Sequence, residues 1–475
     1  MIDIASLEVE KIDRGLGGLV EDCVLVRHAT GDRRVAGVFA VPGEDAPAVR
    51  RAAALCEEAA TGGELSLFEP DDDLMIFHRN RREADFIFRE VFRDNEYLRN
   101  GVRLPDRPTV VDVGANIGGA AVLFGKAAPG ARIFAVEPVP HLCRAVELNA
   151  RLHDIDVVVI PCAVGDAPRR TQITYYPKNT AMSGLLADAA DRDVLKTYLA
   201  GQEEAGSDAG LDAMVAELLA GESIECAVQT LGQALDGHAI DRIDLLKIDV
   251  EKAEWQVLRG IGDELWRRID QVVMEVHDID GRVAASVALL EGKGFTVFVD
   301  RNQDLLATDM HGLYARRGPV GPDPAAPPWR RPLSTRRALA AAIRAELGGE
   351  LAAELADLPV ERFRFGTALP RDARGEIDTA ALIALLTEEA ADGTAEGGPL
   401  PEIEKKLAAI WRGILKVDDV SASDDFFALG GTSLKSVRMV LEVHEAFGED
   451  VLPPDQLFEG SRFDEIAAII RGNMR

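Results

Sequence analysis

The chain has 475 residues, 47% apolar and 28% charged, a composition that suits a globular protein with room for several cores. Its 81 acidic and 53 basic side chains leave a formal charge of −28, a field that repels nucleic acid and so argues against such a partner. The five cysteines are scattered without metal-ligand or disulfide-framework spacing, no apolar signal core opens the chain, and no run approaches about 18 uninterrupted apolar residues; a cytoplasmic protein with no membrane contact is expected.

Taken in chain order, helical and strand patterns alternate from about residue 80 to residue 317. The apolar runs Val110–Val113, Ile133–Val136, Val157–Ile160, Ile243–Val250 and Val272–Val276 are short and rich in β-branched residues. Helical stretches such as Leu142–Leu152 and Val283–Lys293 separate them. This is the pattern of an α/β protein with a parallel sheet and helices on both faces. Residues 318–332, with six prolines, and the acidic, Gly-rich residues 387–399 read as linkers. They set off a short middle segment and a C-terminal segment that begins with a helical pattern at Glu402–Leu415.

Val110-Val-Asp-Val-Gly-Ala-Asn-Ile-Gly118 is a strand running into a Gly-containing turn and then a helix. Gly114 and Gly118 let backbone approach a ligand, and Glu137, ending the next strand, can accept the two ribose hydroxyls of an adenosine. A dinucleotide site competes, but the turn lacks the full G-x-G-x-x-G, and Asp112 would repel a pyrophosphate where it would tolerate a cationic sulfonium. A tight turn with no ligand is the bland alternative.

Two further strands carry polar groups suited to proton transfer. Alternation along Ile243–Glu251 places Lys247, Asp249 and Glu251 on one side, and Glu275 and His277 share a side of their strand. Lys247 is unusual in a buried strand and needs a carboxylate, Glu275 or Asp249; that pair could be purely structural. His277 is the best general base, because its ordinary pKa lies near neutrality, although a histidine at a strand end often only satisfies loop backbone. Asp249, Glu251 and His277 are metal-ligating residue types, but their spacing does not demand a metal and none is expected.

With the lead-in Asn80-Arg-Arg-Glu-Ala-Asp-Phe and Tyr97-Leu-Arg-Asn-Gly101, the motifs Asp112–Gly118, Glu137-Pro-Val-Pro, Leu245-Leu-Lys-Ile-Asp-Val-Glu251 and Glu275-Val-His277 resemble the FkbM-type methyltransferase family over about residues 64–317, most closely its versions embedded in polyketide and nonribosomal peptide synthases. The resemblance implies a class I methyltransferase (Rossmann-like) sheet, S-adenosylmethionine as cofactor and transfer to a hydroxyl oxygen. It makes Asp112, Gly114, Asn116, Gly118 and Glu137 cofactor contacts. Ala163 and Val164 would flank the adenine, with ordinary core as the competing reading. It also makes the strands of Lys247 and Glu275 neighbours, so that Lys247, Asp249, Glu251, Glu275 and His277 converge at the carboxyl end of the sheet. Lys252 departs from the family, where many members have Gly.

Asp425-Phe-Phe-Ala-Leu-Gly-Gly-Thr-Ser433-Leu closely resembles the phosphopantetheine site of a four-helix peptidyl carrier domain, with Ser433 as attachment point at a helix start. Phe365-Gly-Thr-Ala-Leu-Pro-Arg-Asp-Ala-Arg-Gly375-Glu-Ile-Asp378 resembles the end of the small α+β subdomain of adenylation domains, with Glu376 in the place of its catalytic lysine. Cys23-Val-Leu-Val-Arg and Arg34-Val-Ala-Gly-Val-Phe-Ala-Val resemble the beginning of that subdomain. The implied arrangement is residues 1–55 and 318–386 as a split adenylation-type subdomain around a methyltransferase at 56–317, then a linker at 387–399 and a carrier at 400–475. A phosphopantetheinyl transferase and neighbouring synthetase domains, an adenylation core and a condensation domain, are the implied partners. O-methylation of an acyl or aminoacyl group tethered to Ser433 is the leading function. N-methylation of a tethered amine, or an inactive fold serving as a docking scaffold, are the alternatives. Tyr97 and the Tyr175–Ser183 segment are candidate acceptor-pocket residues.

Overall fold

A computed structural model describes residues 8–11, 17–30, 33–60, 65–71, 74–187, 190–201, 215–216, 218–301, 309–318, 335–350, 360–387, 402–415, 417, 420, 426, 429, 433–448, 451–452 and 462–473. They fall into two compact units, Ile76–Trp329 and the combined Met1–Met75 and Arg330–Arg475. No helix among the described residues is long and apolar enough to cross a membrane.

The central unit is built on a seven-stranded sheet. In chain order its strands are β1 Thr109–Val113, β2 Arg132–Val136, β3 Asp156–Ile160, β4 Leu245–Ile248, β5 Gln271–His277, β6 Thr296–Asp300 and β7 Met310–Arg316. Their order across the sheet is β3-β2-β1-β4-β5-β7-β6, parallel except for β7, which runs antiparallel to both β5 and β6. The interior strands are almost wholly buried, which is why they read as continuous apolar runs and not as alternation. Val111, Val113, Leu246, Ile248, Val272 and Met274 form one core cluster, against which Val257 and Leu258 of helix Glu254–Gly260 and Leu290 of helix Arg282–Gly292 pack. Ala135 and Val146 belong to a second cluster, which brings in helix Pro140–His153. The chain reverses its winding between β1 and β4, and a crevice at the carboxyl ends of the strands opens there. Side chains at the ends of β1, β2, β4 and β5 therefore meet in one place.

In the other unit, Glu8–Lys11, Val20–Thr30, Arg33–Pro42 and Val360–Phe365 make a four-stranded sheet. The last strand pairs parallel with the third, Arg364 opposite Phe39, so the sheet is completed by residues from beyond the central unit. Period-2 alternation divides its side chains between two faces. Cys23, Leu25, Val38 and Ala40 pack with Val49, Leu339 and Ile343, whereas Val24, Val26 and Phe39 pack with Leu369, Leu382 and Leu386. Helix Pro47–Ala60 contributes Val49 to this core, and the compact unit runs to Met75. Glu376 is exposed in a turn with Gly375 at φ +82°.

Helices Glu402–Leu415, Ser433–Phe447 and Phe463–Asn473 share a separate core in which Trp411 sits edge-on to Phe426 and Phe463, with ring centroids 5.1 and 5.2 Å away. Ser433 is the first residue of its helix. Residues 427–428 and 430–432, most of the motif before it, lie outside the described residues, and the expected four-helix count includes stretches that do too.

Candidate active site

Strand β1 ends at Val113, and Gly114 and Ala115 donate backbone hydrogen bonds to the Val136 carbonyl at the end of β2 (3.0 and 3.2 Å). Gly114 has φ +80°, and a Cβ there would lie 1.7 Å from the Asp249 carbonyl oxygen, so only glycine fits. Asn116 at φ 49° and Gly118 at φ +87° complete the turn into helix Gly119–Ala127. Asn149, fully buried, fixes this turn from behind by donating to the carbonyls of Ile117 (2.8 Å) and Phe77 (2.9 Å).

Glu137 accepts hydrogen bonds from the Asn116 amide through Oε2 (2.9 Å) and from the Val139 amide through Oε1 (3.0 Å). Both oxygens are thereby oriented and each keeps a second lone pair for an incoming hydroxyl. Burial nevertheless pushes the Glu137 carboxyl up to about 7, against the two amides that favour its anion. Thr180 donates to Glu83 (2.6 Å) with its hydroxyl 3.1 Å from Asn116 Oδ1, and the Ala181 amide also donates to Glu83. Glu83, in helix Arg81–Ile87, thus clamps the Thr180–Met182 turn over the glycine loop. Its own carboxyl is pushed up to about 7 by burial.

Lys247 of β4 stands in register with Asp112 of β1. Its Nζ is 3.1 Å from Asp112, 3.4 Å from Asp249 and 2.7 Å from the Gly114 carbonyl, to which it donates. The partners are therefore Asp112 and Asp249, and Glu275 is not among them. Burial works against the ammonium, but these two carboxylates overcome it and hold the Lys247 pKa above its ordinary value. Burial raises the Asp112 pKa, with the charge and hydrogen bond of Lys247 opposing. Tyr97 places its ring 5.3 Å from Lys247 Nζ and donates from its hydroxyl to Asp249 Oδ2 (3.1 Å).

The convergence expected from strand alternation arises differently. Strand β4 stops at Ile248, and Asp249–Lys252 turn sharply, with Glu251 at φ 47° and Lys252 at φ 69°. A family preference for Gly at the second position has its physical reason here. In this chain the left-handed Lys252 is held by its amide donating to Glu254 Oε1 (2.7 Å) and by an ion pair from Nζ to Asp191. The turn carries Glu251 to His277 Nε2 (3.3 Å), and Glu254 meets His277 Nδ1 (3.2 Å). Burial opposes charge on His277, but hydrogen bonds from the ring to Glu251 and Glu254 prevail and push its pKa up to about 11. At neutral pH the imidazole therefore holds a proton between two carboxylates. His277, expected as a general base that a neighbouring carboxylate could orient, has two such carboxylates on its ring.

Glu275 lies one turn of the pleat before His277 and lines a small cavity with Glu90, Glu96, Tyr97, His311 and Tyr314. Ala163 and Val164 are buried in a short strand, with Val164 in the main core cluster. Sequence reasoning assigned no role to Glu83, Glu90, Asn149 or Glu254. The first two lie in or just beyond the quoted lead-in, where their acidity was the only signal.

S-adenosylmethionine, the group that the resemblance implies, fits these residues. The glycine turn leaves no room for a side chain, and Glu137 presents oriented acceptors for hydroxyls. Among the described residues no group of His, Cys, Asp and Glu has the geometry of a metal site.

The sequence profile of the Methyltransferase FkbM domain matches residues 112–297, and that of the Phosphopantetheine attachment site matches residues 405–470. The chain is 34% identical over 461 residues to the AMB antimetabolite synthetase AmbE of Pseudomonas aeruginosa, covering 90% of this chain and 21% of that protein. It therefore spans about a fifth of that relative. It is 42% identical over 243 residues to 31-O-demethyl-FK506 methyltransferase FkbM of Streptomyces tacrolimicus, covering 51% of this chain and 93% of that one. Among solved structures, a precorrin-6y C5,15-methyltransferase from Geobacter metallireducens aligns at 13% identity and a TM-score of 0.25, over 46% of this chain and 84% of that one.

Two outcomes are expected. Gly114→Ala should abolish S-adenosylmethionine binding by calorimetry and lower the melting temperature of the central unit; normal affinity would show that the turn does not need glycine. The raised carboxyls of Glu83 and Glu137, at about 7 against an ordinary 4.5, bind protons in the folded state that the unfolded chain releases. Their contribution is complete below about pH 4.5 and is lost as pH rises through 7, so ligand-free thermal stability should fall from pH 5.5 to 8. Glu83→Gln, which keeps the acceptor oxygen, should flatten that slope, and an unchanged slope would remove Glu83 from it.

Proposed function

Because the chain belongs to the FkbM methyltransferase family, matching one relative over 93% of that relative's length, we propose that it methylates a hydroxyl oxygen of an acyl or aminoacyl group carried on Ser433. The methyltransferase domain takes S-adenosylmethionine and the carrier domain takes 4'-phosphopantetheine. Transfer to oxygen is brought here from the relative named as a 31-O-demethyl-FK506 methyltransferase. When bound, S-adenosylmethionine supplies an electrophilic methyl on a positively charged sulfur.

The observation that carries the reading is the Glu251–His277–Glu254 array, in which His277 and Glu254 are buried. In this proposal Glu251 Oε2 receives the hydroxyl proton, His277 holds Glu251 in place by charge and hydrogen bond, and Glu254 fixes the ring through Nδ1. Proton acceptance belongs to the pair, since an imidazolium alone cannot act as a base. Asp112, Gly114, Asn116, Gly118 and Glu137 hold the cofactor, with Ala163 and Val164 beside its adenine. Lys247 locks Asp112 and Asp249 around the turn.

The split sheet of the other unit supports a methyltransferase inserted into an adenylation-type subdomain, as do its strands from either side of the insertion. Glu376 in the lysine position cannot steady the negative phosphate of an acyl-adenylate, so an adenylation core elsewhere in the synthetase would load Ser433 after a phosphopantetheinyl transferase has installed the arm.

His277→Ala should lower turnover on a loaded carrier by about 10²–10⁴-fold, the range of general acid–base assistance, with S-adenosylmethionine affinity retained. Near-normal turnover would remove the array from the chemistry. Mass-spectrometric location of the methyl on the arm decides the acceptor: a methyl on nitrogen would overturn transfer to oxygen. Ser433→Ala should leave no arm to load.

A further inference from the structure

The cavity on the β5–β7 side of the site is lined by Glu90, Glu96, Tyr97, Glu275, His311 and Tyr314. Glu96 is neutralised there by Arg99 and also accepts a hydrogen bond from the Tyr314 hydroxyl (3.2 Å). Glu275 and Glu90 are not neutralised. Glu275 Oε1 is shut off from solvent without a hydrogen-bond partner. Glu90, partly exposed, makes no side-chain hydrogen bond or salt bridge among the described residues. A buried acceptor with no donor is costly to leave unmet, so Glu275 Oε1, facing the cavity beside the unpartnered Glu90, is a standing demand for a donor that arrives with the ligand. Nearby cations do not meet it. Lys247 is shared by Asp112 and Asp249, and His277 by Glu251 and Glu254.

Tyr97 connects this cavity to the reacting centre. It lines the cavity and its hydroxyl donates to Asp249, whose backbone carbonyl abuts Gly114. Tyr97 and Asp249 thus link the cavity wall to the cofactor turn.

Resting on the reading of carrier-bound O-methylation above, we propose that the acceptor is an aminoacyl thioester whose free α-ammonium is held by Glu90 and Glu275. An ammonium supplies three donors, and its charge favours the ionised, acceptor-only form of both carboxyls, which release their protons as it seats. Burial, then repulsion from Asp249, pushes Glu90 up to about 8 and Glu275 well above its ordinary value, with Glu96 adding to the first and Glu90 to the second; a seated cation opposes both shifts. A nitrogen held as ammonium has no lone pair to attack a methyl group. The same contact that recognises the amine therefore directs transfer to a hydroxyl of the same residue: the oxygen–methyl bond forms, the sulfur–methyl bond breaks and the hydroxyl proton goes to Glu251.

The test uses the full chain carrying Ser433→Ala, saturated with S-adenosylhomocysteine, and two probes, alanyl-pantetheinamide and propionyl-pantetheinamide, which differ only by the ammonium. Calorimetry should show the alanyl probe bound about tenfold more tightly, and Glu90→Gln and Glu275→Gln should each erase most of that advantage while S-adenosylhomocysteine affinity holds. Equal affinity, including no measurable binding of either probe, overturns the proposal. So does an advantage that survives both substitutions, or substitutions that weaken S-adenosylhomocysteine instead. Transfer assays on wild-type chain separate this from the function it rests on. Equal methylation of 3-hydroxypropionyl-loaded and seryl-loaded arms would sink the ammonium contact and leave carrier methylation standing. An ammonium advantage without transfer to any hydroxyl would do the reverse.

Discussion

A single ammonium organises the centre of this protein. Lys247 projects from the middle strand of a sheet whose neighbours are apolar, and it survives there only because Asp112, Asp249 and the Gly114 carbonyl surround it. Those three partners come from β1, from the turn after β4 and from the glycine loop. The charge therefore fixes the register of two strands and the path of two loops at once. Removing one member of a buried pair typically costs about 3–5 kcal/mol, which is why such a group is tolerated only where geometry repays it. Around this hub the oriented Glu137, the Glu251–His277–Glu254 array and the Tyr97 hydroxyl all fall into place.

Much of this was legible in the residues. The five apolar runs correspond to β1 to β5 within a residue or two, except that the fourth stops at Ile248, and the glycine turn with its acidic partner marks the crevice. What pattern alone could not show was the end of β4. Alternation extended through Glu251 predicts three polar side chains on one face. The chain instead bends at two left-handed residues, a conformation with no strong signature at Glu-Lys. Strands β6 and β7 were missed as well. Exposed Phe298 and Val299 blur the pattern of the former, and Met310-His-Gly-Leu of the latter lacks β-branched residues.

The ionisation of the site was equally hidden. Sequence identifies His277 as a titratable group near neutrality, but its proton affinity depends on two glutamates delivered by the Asp249–Glu254 turn. A base in isolation and a proton shared among three groups are different reagents. Only the fold distinguishes them, because the fold decides which carboxylates are close and how little water is left to screen them.

The parallel pairing of Val360–Phe365 with Arg33–Pro42 bears on how the polypeptide is made. On the ribosome the first three strands of that sheet emerge long before the fourth, and the whole central sheet is synthesised in between. Contacts of such long sequence separation form late, after loop-closure entropy has been overcome. The intervening unit holds its own core and can condense first, shortening the effective gap between the two halves to the distance between its ends. Until then Val24, Val26 and Phe39 await Leu382 and Leu386 with one apolar face uncovered. Nascent chains stalled in that interval are the species most exposed to aggregation and most in need of a chaperone.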